Sequence, residues 1–204
     1  IFLLILLVLL GTIIYLNTNI RNDKYVLNQD LITQVKENVP QYTTLDKIPP
    51  NFTKAIVAVE DHRFYKHHGF DMQSIARALY INMKQGSVKE GGSTITQQLA
   101  KNLFLSSDRT YTRKAKELLI AVRLEQLYSK QEILEMYINV IYYGSGAYGI
   151  QAASHTYFGK DASDLTLEEC AMLAGLPQAP SVYNPKTNPS VALKRQKTVL
   201  SLMH

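Results

Sequence analysis

Residues 60–117 of this 204-residue chain place three kinds of chemistry in order: a carboxylate, a glycine-led polar stretch and a set of cations. The first stretch is EDHRFYKHHG at 60–69, with Glu60 directly after Ala55-Ile56-Val57-Ala58-Val59. Burial disfavours the charged form of a carboxyl and raises its pKa, which is how a glutamate becomes a usable general base or acid. Asp61 is the next residue but points about 100° away around a helix, so the two would not face each other. A working carboxylate partner must come from a distance, and Glu117 is the candidate. Glu60 as a plain helix-end residue pairing with Arg63 is the bland alternative.

The second stretch, GGSTITQQLAKN at 91–102, has glycines that admit close backbone approach, hydroxyls at Ser93 and Thr94, and amides at Gln97 and Gln98. Thr94 followed by Gln97 is a capping-box pattern, and the free amides of a helix start favour anions. An ordinary capped helix would need no more than that. Lys101, Arg109 and Arg113 then follow, and Arg77 precedes; such cations could gather around a diphosphate as charge-assisted donors. Between Arg77 and Arg123 nine cations face three carboxylates, a surplus of +6 against +5 for the whole chain. A solvated helix face would also explain such a run, whereas an anionic partner is the sharper reading. No G-x-x-x-x-G-K-[ST] loop occurs, so a nucleotide is not implied. His62, His67 and His68 have no H-E-x-x-H or cysteine partner to make a metal site. Arg113 and Glu117, four apart, share a helix face as an ion pair. In KQEILEMYIN at 130–139, Ile133, Met136 and Tyr137 read as core and Glu132, Glu135 and Asn139 as another stripe.

The elements that must position these residues are mostly helical. The spacing predicts helices over 52–66, 71–85, Thr94 to Phe104, 112–128, 129–141, 146–157, 167–176 and from Pro189 onward. Strand signals are weak, at 86–90 and 105–110. The chain is 46% hydrophobic, enough for a sizeable core, and its lone Cys170 rules out an internal disulfide framework. Residues 1–16, IFLLILLVLLGTIIYL, carry no charge and read as a transmembrane helix whose start is missing, since a span needs roughly 20 apolar residues. The expected organisation is an anchor at 1–20, a proline-bearing connector at 21–50 and a catalytic domain at 51–204, mainly α with a minor β element.

In combination these segments resemble the peptidoglycan glycosyltransferases of family 51, known as monofunctional transglycosylases and as the N-terminal domain of class A penicillin-binding proteins. Five motifs appear in order: E-D-x-x-F-x-x-H-x-G at Glu60–Gly69, G-x-S-T-x-T-Q-Q at Gly91–Gln98, R-K-x-x-E at Arg113–Glu117, K-x-x-I-L-E-x-Y-x-N at Lys130–Asn139, and a weaker R-x-x-x-V-L at Arg195–Leu200. The last departs from the family in having Lys194-Arg195 where two arginines are frequent.

The resemblance implies a lysozyme-like helical fold with two lobes, a cleft between them and a membrane-dipping segment at about 70–86. It implies an inverting transfer from a lipid-linked nascent glycan (donor) to lipid II (acceptor), with Glu60 as base and release of undecaprenyl diphosphate. Glu117 would be the second glutamate, on the acceptor side. Arg77, Ser93, Thr94, Gln97, Gln98, Lys101, Arg109 and Arg113 would bind substrate. No tightly bound cofactor is implied; a divalent cation, Mg2+ or Mn2+, would be stimulatory, with no ligands that can be named. The implied setting is the bacterial cell membrane, single-pass, with the catalytic domain on the extracytoplasmic side. Lipid-linked substrates, the membrane and other cell-wall synthesis proteins are the implied partners, and nucleic acid is not. Two rivals stay open: a lytic enzyme that cleaves glycan with one glutamate, and a noncatalytic wall-binding module. No S-x-x-K or K-T-G stands in these residues, so transpeptidase chemistry is not among them.

Overall fold

The computed structural model describes residue 20 and residues 24–86, 91–105 and 111–203. The expected membrane helix at 1–16 lies outside these residues, as do Arg109 and all but the first residue of each expected strand near 86–90 and 105–110. In chain order the elements are α1 (Leu31–Asn38), α2 (Pro50–Glu60), α3 (Met72–Gln85), α4 (Ile95–Phe104), α5 (Tyr111–Leu127), α6 (Lys130–Val140), β1 (Tyr142–Gly144), β2 (Ala147–Tyr148), α7 (Ile150–Phe158), α8 (Leu167–Ala174) and α9 (Pro189–Leu202). The fold is mainly helical with a small antiparallel two-stranded sheet. It divides into two compact units, residues 1–38 with 68–129, and residues 39–67 with 130–204.

In the first unit, α4 packs along α5. Apolar residues at helical spacing, Ile95, Leu99 and Leu103 on α4 and Ile120, Ala121 and Leu124 on α5, are all buried. The predicted capping box is present. Thr94 Oγ1 accepts from the Gln97 N–H and Gln97 Oε1 from the Thr94 N–H, each at 3.1 Å. Thr94 Oγ1 also donates to the Gly69 carbonyl at 2.7 Å. The stretch expected as a connector carries α1, whose Leu31 and Val35 are fully buried. Tyr128 Oη fastens it, accepting from the Leu31 N–H at 2.8 Å and donating to the Asn28 carbonyl.

Helix α3 is different. Asp71 caps its start, accepting from the Gln73 N–H at 3.0 Å, and Gly86 ends it at φ +62°. Only Ala78 is buried; Met72, Leu79, Tyr80 and Met83 are between 61% and 74% exposed. These four side chains are therefore exposed rather than packed into a core.

In the second unit, α2 lies against α8 and α9, which also pack on each other. The predicted helix over 52–66 stops at Glu60, and a 3₁₀ turn at Phe64–Lys66 replaces its last part. The reason is local: the Asp61 carboxylate is taken by His67 Nε2 at 2.9 and 3.1 Å, and the chain turns between them. The stripe on α6 is structural. Glu135 accepts from Tyr42 Oη (2.8 Å) and the Leu45 N–H (2.9 Å), and Asn139 brackets the Thr43 backbone N–H and carbonyl. The helix expected from 146 begins at Ile150, because Tyr142–Tyr148 forms the β1–β2 hairpin, turned by Gly144, Ser145 and Gly146 at positive φ.

Candidate active site

Glu60 is the last residue of α2, where the apolar run Ala55, Ile56 and Val57 is buried and the helix then breaks off. Its Oε1 is sealed from solvent. Two fully buried tyrosines of the same unit, Tyr137 on α6 and Tyr143 on β1, feel its charge. Burial first, and then the Glu60 carboxylate, hold both phenols well above their ordinary pKa. Both therefore stay neutral O–H groups, and the carboxylate is set in a low-dielectric wall. A carboxylate so placed is a candidate for proton abstraction. Asp61 is not a second acid here. It lies beyond the helix end, buried, with its carboxylate bonded to His67.

The second constellation belongs to the other unit. Glu117 is 3% exposed and gripped by two cations of its own helix. Arg113 Nη1 donates to Oε1, and Lys114 Nζ to Oε2 at 2.7 Å. Lys114 Nζ also donates to Ser93 Oγ at 2.9 Å, tying the glycine-led stretch to the cationic helix. Glu117 thus neutralises one charge of the cation cluster and fixes its geometry. Lys114 was missing from the residues expected to bind substrate; its signal was the three-residue spacing to Glu117.

Thr94 and Gln97 are nearly fully buried and serve the α4 cap, so the structure gives these two expected binding residues a structural task. Ser93 and Gln98 are half-buried beside that helix start, while Lys101 and Arg77 are exposed. Arg109 lies outside the described residues. Among the described residues, no three His, Cys, Asp or Glu side chains gather as a metal site.

Comparison with known proteins now decides the family. The family model described as "Transglycosylase" matches residues 28–204. The chain belongs to this family. Over 177 residues it is 49% identical to penicillin-binding protein 1F of Bacillus subtilis, covering 87% of this chain and 25% of that protein. Over 179 residues it is 50% identical to penicillin-binding protein 1A of Escherichia coli, covering 88% and 21%. The crystal structure of penicillin-binding protein 1A from Haemophilus influenzae aligns with 79% of this chain and 14% of that one, at 25% identity and a TM-score of 0.43. The chain spans a quarter or less of the length of these relatives. Its transglycosylase match starts at residue 28, so it takes in α1 and the 42–45 segment that Glu135 and Asn139 hold.

Proposed function

We propose that this chain is a peptidoglycan glycosyltransferase that polymerises lipid II into β-1,4-linked glycan strands. The observation that carries the reading is Glu60 at the C-terminal end of α2, beside the buried Tyr137 and Tyr143. The Glu60 carboxylate takes the proton of the acceptor sugar 4-hydroxyl. That oxygen attacks the donor anomeric carbon with inversion, and the bond from this carbon to the diphosphate breaks. Undecaprenyl diphosphate leaves with the electron pair. Ser93, Gln98, Lys101, Arg109 and Arg113 meet the donor diphosphate with Arg77 in support, and Glu117 orders the acceptor side. Lys114 joins this set, because it bridges Ser93 and Glu117. No tightly bound cofactor is needed. A stimulating Mg2+ or Mn2+ would act on substrate phosphates, and no step is routed through it.

The reading includes a lysozyme-like fold and an extracytoplasmic domain held at the bacterial membrane by residues 1–20. No helix among the described residues is long and apolar enough to cross a membrane. The exposed Met72, Leu79, Tyr80 and Met83 support a second membrane contact.

Incubation with purified lipid II tests the proposal: it predicts glycan strands and free undecaprenyl diphosphate, with no fragments released from purified sacculi. Fragments from sacculi with inert lipid II would establish the lytic alternative. Inertness towards both, with retained wall binding, would leave the noncatalytic module.

A further inference from the structure

The turn after Glu60 is built around a buried pair that core packing alone does not require. Asp61 leaves the helix at φ −160° and ψ 73°. His67 Nε2 lies 2.9 and 3.1 Å from its two carboxylate oxygens, and both residues are buried. An ionised carboxylate only accepts, so Nε2 carries the proton. The other ring nitrogen, Nδ1, is buried with no hydrogen-bond partner among the described residues. An apolar side chain of similar size would fill the site without stranding a nitrogen. What histidine adds is the Nε2–H donor.

The pair sits in a braced loop. The Phe64 N–H donates to the Asp61 carbonyl at 2.9 Å. The Phe64 ring meets the His67 ring edge-on at 6.3 Å, and Lys130 Nζ lies 4.3 Å over the Phe64 ring. The sequence pattern itself would carry the helix on to residue 66. The Asp61 to His67 bond is a side-chain contact that spans the turn directly after Glu60.

We propose that His67, through Asp61, is a positioning residue for Glu60: the bond ends α2 at residue 60 and fixes the carboxylate at that terminus beside Tyr137 and Tyr143. This rests on the reading of Glu60 as the base. A shift of about 1 Å in a reacting group can lower turnover on the order of 10²-fold, so the latch belongs to the rate rather than to substrate affinity.

Three variants test it: His67→Gln, whose terminal amide reaches Asp61 as Nε2 does; His67→Asn, whose shorter amide does not; and His67→Leu. The measurements are initial rates with lipid II over a range of concentrations, and melting temperature. Asn and Leu should lose about 100-fold in turnover with KM within about threefold of the parent, and Gln should recover to within about tenfold of the parent. Should Leu fail to fold, the comparison of Gln with Asn at equal melting temperature still decides. Equal turnover in Gln and Asn, or a loss expressed in KM, overturns the proposal. Glu60→Gln separates it from the reading beneath. An active Glu60→Gln sinks the base assignment, whereas a dead Glu60→Gln beside fully active His67 variants sinks only the latch.

Discussion

Gly69 closes the first motif, and its replacement by alanine gives a sharp energetic expectation. The residue stands at φ +94°, where a Cβ would lie 2.9 Å from the Ala121 carbonyl carbon and 3.0 Å from both the Ala121 oxygen and the Val122 nitrogen. These are α5 backbone atoms, which cannot swing aside as a side-chain tip can. Positive φ costs an L-residue roughly 1–2 kcal/mol, and forcing an extra carbon into packed structure costs about 1–3 kcal/mol. Gly69→Ala should therefore lose about 2–5 kcal/mol. At roughly 2–4 °C per kcal/mol for a chain of this size, its melting temperature falls by on the order of 10 °C. Gly86 supplies the control: it also has positive φ, +62°, but among the described residues nothing lies within 4 Å of its would-be Cβ. Gly86→Ala should fall by only about 2–8 °C. Thermal unfolding followed by far-UV circular dichroism reads both. If Gly69→Ala melts no lower than Gly86→Ala, the close approach of the 69 backbone to α5 is refuted, and with it the packing reason for this glycine.

Other expectations follow from the same geometry. Glu60→Gln should cut lipid II polymerisation on the order of 10²–10⁴-fold at an unchanged melting temperature; activity within tenfold of the parent would end its assignment as base. Lys101→Ala, removing a charge-assisted contact of roughly 1.5–3 kcal/mol, should slow polymerisation at least about tenfold, while Lys84→Ala on exposed α3 should not, and equal small losses would favour a merely solvated face. Replacing Met72, Leu79 and Met83 together by serine in the chain from Asn28 onward should abolish its co-sedimentation with anionic liposomes, and undiminished binding would place membrane contact elsewhere. Burial pushes the Cys170 thiol from 9.0 up to about 12. Between those values the unfolded chain has released a proton that the native one retains, so the thiol's contribution to stability is complete below pH 9 and is lost as pH rises through this window. A disulfide reagent at pH 8 should leave Cys170 unmodified until urea is added; fast labelling of the native protein would contradict its burial.

Local patterns were legible in the sequence because their physics is local. Thr94 and Gln97 satisfy each other's backbone groups three residues apart, Arg113 and Glu117 meet one turn apart, and apolar spacing marks α4 and α6; each needs only the helix's own geometry. What the sequence could not decide is which of the available contacts folding would bury. The periodicity of 52–66 is compatible with helix throughout, and in the fold it ends at Glu60, where Asp61 meets the buried His67. The apolar residues of 70–86 have the same spacing whether they face a core or solvent, and tertiary packing left them uncovered. Leu31 and Val35 sit in a stretch that reads as a connector, yet Tyr128, a hundred residues from Asn28, fastens it into the first unit. Side-chain type and short spacing set which bonds are available, but long-range burial, by removing water as the competing partner, selects which of them form.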